Sequence, residues 1–237
     1  MGFTHVQGAV GSGVSTASIT ITLPSNPVQG NIVCVGMAPG IAISGLTVVD
    51  GNSNSYTITP NSPSTFQTNC GQVWLAYLLN APANANKVIT LSWNTADNTP
   101  VAWADEFSVS GGTAAFDKDA KANTGTAGTT INTPTITPTG PTELLFACAA
   151  SGSAITAPAA NGNLGVWKGS GGAITSGDMA EYDLSASSLT AVNFTQASAG
   201  WSAMAMAFTF TSLSGTFEDD SFSIVPCVGF DQNVSVW

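Results

Sequence analysis

Between Lys87 and Ser110 the chain alternates apolar and polar residues with a period of two. Ile89, Leu91 and Trp93 alternate with Thr90 and Ser92. After a polar loop holding Asp97, Asn98 and Pro100, Val101, Trp103, Phe107 and Val109 alternate with Ala102, Ala104, Ser108 and Ser110. Successive side chains of a strand point to opposite faces, so both runs predict strands with one face against a core. From Leu189 to Thr211 the pattern returns. Thr190, Val192 and Phe194 repeat the first run, and Met204, Met206, Phe208 and Phe210, alternating with Ala203, Ala205, Ala207 and Thr209, repeat the second. Sliding the chain by 101 residues lays Trp93 on Phe194 and Phe107 on Phe208.

The rest of the chain follows the same repeat. Ser18 to Pro24 (SITITLP) predicts a strand closed by Pro24 and the turn Ser25-Asn26-Pro27. The apolar run from Ile32 to Ala38 is short enough for a doubly covered strand. Leu46 to Val49 and Tyr56 to Thr59 flank DGNSNS, read as a hairpin connection. Gly71 to Leu79 predicts another strand. In the second half, Thr130 to Thr137 (TINTPTIT) matches SITITLP, and Pro141-Thr142-Glu143 before LLFACAA matches Gln29-Gly30-Asn31 before IVCVGMA. Asn163 to Lys168 stands in for the hairpin region, and Gly177 to Leu184 matches Gly71 to Leu79, with Tyr182 on Tyr77.

Two architectures fit an all-β chain of this kind. The favoured one is a large two-sheet sandwich of jelly-roll type built from two degenerate repeats, whose matching strands lie across from each other. The alternative is two tandem small β-sandwiches. The expected organisation is an N-terminal arm or lead-in strand (1–16), a sandwich (17–212) with half repeats 17–110 and 129–212 and a connector 111–128, and a C-terminal arm (213–237). Within the connector, Phe116 to Ala122 is expected to be extended. In the last segment Phe217, Phe222, Ile224, Val225, Phe230 and Trp237 surround the acidic run Glu218-Asp219-Asp220. They are the candidate intersubunit contacts, because aromatics beyond a closed repeat need something to bury them.

Composition narrows the partners. Only 8% of the 237 residues are charged, with 14 acids, four lysines, no arginine and a net charge of −10. A phosphate backbone needs a basic patch, and four scattered lysines do not make one, so nucleic acid is excluded, as is docking on an anionic membrane. No stretch approaches ~18 uninterrupted apolar residues, so no span is expected. The first residues lack the charge and apolar run of a signal peptide, which places synthesis in a host cytoplasm. Cys34, Cys70, Cys148 and Cys227 are far apart and the chain has one histidine, so no zinc site is expected. Buried thiols are the expectation, with a Cys34–Cys148 bridge open if their strands face each other.

Candidate chemistry is sparse. A Ser-His-Asp arrangement would have to use His5 from a flexible terminus. Asp105 and Glu106 point to opposite faces of one strand and cannot share a substrate. Asp105 falls on the Trp103–Phe107 face, where the other repeat has Met206. Glu181, Asp183, Asp178 and Glu143 supply carboxylates without a glycosidase pattern. Asp50, Asn52 and Asn54 resemble the first ligands of a calcium loop, but the downstream Glu is missing and turn chemistry explains them. No catalytic residue, cofactor or metal site is assigned. Trp167 and Trp201, beside polar loops, are the candidates for stacking on a glycan.

The order ITITLP, then P-x-x-G-N before an apolar run, VVDGNSNSYT, VWLAYLLNAP, VITLSW and WADEFSVSGG resembles a group of bacteriophage β-sandwich proteins of the virion. These are capsid decoration or tail-associated proteins, and the resemblance covers residues 17–212. It implies a non-enzymatic virion structural protein, a decoration (cement) protein that stabilises a phage shell. Its expected partners are other copies of itself, a trimer being one arrangement, and capsid or other virion proteins. The aromatic tail and the lack of arginine depart from the pattern, and the second puts contact with a genome in doubt. The alternative is a carbohydrate- or receptor-binding module of a tail fibre or spike.

Overall fold

The computed structural model describes residues 2–213 apart from 69, 138, 141–142, 159–163, 171–174 and 185–192, and only the backbone at 123–125 and within 156–193. The described chain is all-β, sandwich-like and without a helix. A five-stranded antiparallel sheet forms its middle layer, in the order β1 (Gly2–Ser12), β8 (Val101–Ser110), β3 (Ile32–Ala38), β6 (Trp74–Leu78), β5 (Thr57–Ile58). A three-stranded sheet, β2 (Thr16–Thr22), β7 (Val88–Asp97) and β4 (Thr47–Asp50), covers one face. The other face packs on a six-stranded sheet from the second half, made of β9 (Gly112–Asn132), β14 (Asn193–Ser212), β10 (Glu143–Ser151), β11 (Ile155–Pro158), β13 (Thr175–Leu184) and β12 (Leu164–Ser170).

Being the middle layer explains the composition of β8 and β3. Val101, Trp103 and Phe107 face the second half, while Ala102 and Ala104 face the three-stranded sheet, so β8 is buried on both sides rather than one. In β3, Ile32, Cys34 and Ala38 take one side and Val33, Val35 and Met37 the other. The double cover expected for Ile32–Ala38 is borne out in β3, whereas for β8 the pattern predicts one buried face and the third layer buries the second. β7 keeps the simple alternation because its outer face is the molecular surface.

The repeat is confirmed in the pairing. The order β1-β8-β3-β6-β5 reappears as β9-β14-β10-β13-β12. Phe107 pairs between His5 and Ile32, and Phe208 between Phe116 and Leu144. Trp103 pairs between Val10 and Gly36, and Met204 between Lys121 and Cys148. Even the bulge recurs: the register slips between His5 and Gln7 in β1, and opposite Ala207/Phe208 in β9, where Asp117 is the extra residue. In the second half, β9 does the work of β1 and β2 together, and β14 that of β7 and β8. Their inner faces meet in one cluster that includes Phe3, Trp103, Phe107, Phe146, Met204 and Phe208. Matching strands β3 and β10 lie across from each other, as expected for interlocked halves.

Several expectations change. Of the two forms open for the N-terminal residues, Gly2–Ser12 takes the strand and not the arm, an edge strand paired along β8. Within the connector Phe116 to Ala122 is extended as expected, and the strand goes further, running from Gly112 to Asn132 along the length of β14. The two strands of Lys87–Ser110 do not pair with each other, because β7 and β8 belong to different layers and the chain turns a corner between them. The same holds for β4 and β5: a bridge between Val49 and Ser55 closes the turn, after which the chain changes sheet. Tyr77 pairs with Cys34, whereas Phe146, the counterpart of Cys34, pairs with Ala180. Tyr182 therefore stands two residues from the position that matches Tyr77.

A loop of the first half fastens the layers. Asn61 donates its backbone amide and its side-chain Nδ2 to the Asp119 carboxylate on β9, at 2.8 and 2.9 Å. Lys121 Nζ donates to Pro63 O at 3.1 Å, and the Ser64 and Ser202 hydroxyls bond in the interior. Tyr77 stacks on Phe116 with centroids 5.0 Å apart and meets Phe208 edge-on.

Candidate functional site

The ionisable side chains are the places to look for chemistry, and the fold spends most of those it describes on itself. Asp50, Asp97, Asp105, Glu106 and Glu143 are all buried. Burial of a charge is tolerated only with hydrogen bonds or an ion partner, so each needs an account.

Glu106 accepts from three donors. Its Oε1 accepts from the Val28 amide at 2.7 Å and from Asn31 Nδ2, and its Oε2 accepts from Gln7 Nε2. Gln7 in turn accepts from the Ser25 amide and hydroxyl. The network joins β1, β8 and the turn before β3 on the side of the three-stranded sheet. Asp105 points the other way, as the alternation predicts. His5 Nε2 donates to its Oδ1 at 3.0 Å, and the His5 ring meets Phe107 edge-on at 5.5 Å. His5 is therefore held in a strand rather than in a flexible terminus. Ser108, the neighbouring hydroxyl on β8, donates to Thr4 O at 3.4 Å. In the second repeat Phe116 and Met206 occupy the positions of His5 and Asp105. A polar pair thus replaces an apolar one, a substitution that the sequence offset makes visible for Asp105 and hides for His5.

Asp50 organises the DGNSNS turn. Its Oδ1 accepts from the amides of Asn52 (2.9 Å) and Asn54 (3.0 Å), and its Oδ2 from Asn54 Nδ2 and the Asn86 amide, both 2.8 Å. Burial alone would raise this carboxyl, but the Asn54 side chain and the amides of Asn86, Asn54 and Asn52 bring it below the ordinary 3.8. A carboxylate has about four acceptor sites, and here protein donors fill them. Ser53 adopts a left-handed conformation (φ 66°) to close the turn. Asp97, at the opposite end of β7 from the Ile89 that pairs with Asp50, accepts from the Gly40 amide at 2.8 Å. Among the described residues no group of three or more His, Cys, Asp or Glu is placed to hold a metal ion.

The cysteines Cys34, Cys70 and Cys148 are buried thiols. Burial pushes Cys70 up to about 11, which keeps it protonated and poorly nucleophilic at neutral pH. Cys227 lies outside the described residues.

The aromatic candidates divide. Trp201 is 7% exposed and packs with Leu145, Ala203 and Phe194 on the outer face of the six-stranded sheet, so it is a core residue and not a glycan platform. Its polar neighbours in sequence misled because β14 continues inward through it. Trp167 pairs with Met179 in the β12–β13 ladder, and its side chain lies outside the described residues. Phe217, Phe222, Ile224, Val225, Phe230 and Trp237 also lie outside them. No helix among the described residues is long and apolar enough to cross a membrane. No protein-family model, curated protein or solved structure matches this chain.

Proposed function

We propose that this chain is a non-enzymatic structural protein of a bacteriophage particle, a decoration (cement) protein that binds the shell and other copies of itself. The observation that carries the reading is where its charge resides. Five of the described acids, Asp50, Asp97, Asp105, Glu106 and Glu143, are buried and bonded inside the fold by Gln7, Asn31, Asn54, His5 and backbone amides, while Asp117 and Asp119 lie nearer the surface and bond to neighbouring loops. The surface is left to hydroxyls, as on the outer face of the three-stranded sheet, where Ser18, Thr20, Thr22 and Thr47 are exposed. Such a face has little charge to desolvate when it meets another protein, and it suits many symmetric weak contacts better than one reactive site. The order of sequence segments resembling phage virion sandwiches points the same way. In this reading residues 213–237, with their six apolar and aromatic candidates, act as an arm toward a neighbour.

The test compares the full-length protein with a version ending at Ser212, by light-scattering chromatography with and without purified capsids of the phage concerned. The expected result is that the full-length protein oligomerises or coats the shell and the truncated form does so less. Two monomeric forms that both ignore capsids would overturn the reading, and a glycan screen would then test the receptor-binding alternative.

A further inference from the structure

The two repeats end in equivalent edge strands that are finished differently. β1 closes one side of the five-stranded sheet and β9 the same side of the six-stranded sheet, and each bulges at the same place. From the bulge on, the two strands compare position by position. The bulge residue is Val6 in β1 and Asp117 in β9. Two residues further, Gly8 pairs with Asp105 and Asp119 with Met206; two further again, Val10 pairs with Trp103 and Lys121 with Met204. Three alternate positions are thus charged in β9 and uncharged in β1.

Sheets guard an edge with charge or cover it with a loop, because a bare edge is a template for another strand. β9 has both guards. Asp119 accepts from Asn61 and Lys121 donates to Pro63 O, so loop 59–66 of the first half is fastened to it. β1 differs. Its one ionisable residue, His5, is held by the buried Asp105, and among the described residues β8 is the only strand paired with it. Val6 is 45% and Val10 42% exposed. Val14, just past the strand, and Val28, whose amide shares the Glu106 carboxylate with Gln7, are exposed as well. Four of the six large apolar side chains exposed among the described residues therefore gather along this one edge.

We propose that two copies of this chain join through β1, edge to edge and antiparallel, about a two-fold axis at Gly8. Three features select a second copy as the occupant. A contact between identical surfaces needs a stretch that complements itself. Val6 and Val10 stand two residues to either side of Gly8, so Val6 of each copy meets Val10 of the other. Identical residues also face each other on such an axis, and glycine there has no side chain to collide and lets the backbones approach. Finally, each copy has a net charge of −10, so copies approach best along a strip without ionised groups. The pairing makes one continuous sheet of the two five-stranded sheets, its backbone hydrogen bonds giving affinity and its valines excluding water. It rests on the reading that this protein binds other copies of itself and names the surface they use.

Sedimentation equilibrium of the full-length protein without capsids tests the proposal. Val10→Lys and Val6→Asp, which import the charges of β9 at exposed positions, and a form ending at Ser212 are measured beside it. The expected result is a monomer–dimer equilibrium that the truncation leaves in place and each substitution weakens by at least about tenfold, with thermal unfolding unchanged. A protein monomeric at all concentrations, a dimer indifferent to both substitutions, or a dimer lost only with residues 213–237 overturns it. A ladder of larger species overturns the two-fold register. Capsid binding that Val10→Lys abolishes in a protein that stays monomeric gives the edge to a shell protein and also overturns it. Because the dimer is measured without capsids, failure of the shell reading leaves it standing, and its failure does not touch shell binding. If the variants do not fold, hydrogen exchange of the native protein decides. Amide protection over residues 6–10 should rise with protein concentration relative to β3, and a level profile overturns the proposal.

Discussion

Gly36 of β3 lies directly beneath the sulfur of Cys148 of β10: a Cβ built on Gly36 would stand 1.9 Å from Cys148 Sγ. The two residues hold equivalent places in the two repeats, each paired with its repeat's counterpart of the other, Trp103 or Met204. Equivalent positions meeting face to face are what an isologous contact between two copies looks like, here within one chain. One side must be small so that the other can fill the shared space.

Replacing Gly36 by alanine therefore overpacks the interface. Both residues are buried, so the sulfur cannot swing into solvent, and Gly36→Ala is expected to cost about 1–3 kcal/mol in denaturant unfolding. Exchanging the pair, Gly36→Ala with Cys148→Gly, moves the small residue to the other sheet. The double variant is expected to be more stable than the sum of the two single changes by at least about 1 kcal/mol. Simple additivity would mean that the two positions do not share this space.

The Asn61–Asp119 contact predicts how firmly the two halves are fastened. Both residues are at the surface, but three bonds run from Asn61 to Asp119, two to its carboxylate and one to its backbone carbonyl, and join loop 59–66 to the edge strand of the other half. Asp119→Ala should lower stability by only about 1 kcal/mol, because solvent competes for the freed donors. Its larger effect should be local, with faster hydrogen exchange around Asn61 and Ser62 than in β3 or β8. Uniform acceleration across the sheet would argue that the loop is not a separate fastening.

Asp50 gives a prediction with a sign in pH. Its carboxyl lies below the ordinary 3.8 in the folded state, so its contribution is full above that value and is lost as pH falls through the folded value. Asp50→Ala leaves four donors without their acceptor and should destabilise the protein by about 2–3 kcal/mol at neutral pH. The difference between native and variant should shrink below about pH 4. Thermal unfolding across that range checks it. A difference independent of pH would assign the effect to the turn backbone rather than to the charge.

Much of this fold is legible in the residues, and the gaps have physical causes. The alternation in Ile89–Trp93 and Met204–Phe210, and the match of Asn31 with Glu143, follow from strand periodicity and a shared register. β9 is legible at Phe116–Ala122 but not along its full length from Gly112 to Asn132, because Gly, Ala, Asn and Asp have poor strand propensity and the rest of its conformation comes from pairing with β14. β1 hides for a related reason. Gly11 looks like a loop residue, yet a Cβ there would stand 2.6 Å from Thr20 O, so glycine marks a close crossing of β2 over β1. The double burial of β8 could be suspected from Ala102 and Ala104, small residues that let a middle layer pack on both sides. The His5–Asp105 pair could not, since nothing local ties residues so far apart.

That pair supports the last prediction. Asp105 is fully buried between two sheets with His5 Nε2 3.0 Å from its Oδ1, and the second-repeat counterparts of Asp105 and His5 are Met206 and Phe116. Removing one partner of a buried pair leaves an uncompensated charge, whereas replacing both by apolar groups is often neutral or favourable. His5→Phe alone should thus destabilise the protein by about 2–4 kcal/mol at neutral pH, with His5's partial exposure reducing the loss. Adding Asp105→Met to it imports the pairing that the other repeat already accommodates, with Phe at position 5 meeting Phe107 as Phe116 meets Phe208, whose centroids are 5.9 Å apart. The double variant should recover most or all of the lost stability, measured by chemical unfolding. If it remains as unstable as the single change, the space around β1 does not match that around β9, and the equivalence of the two repeats ends at the backbone.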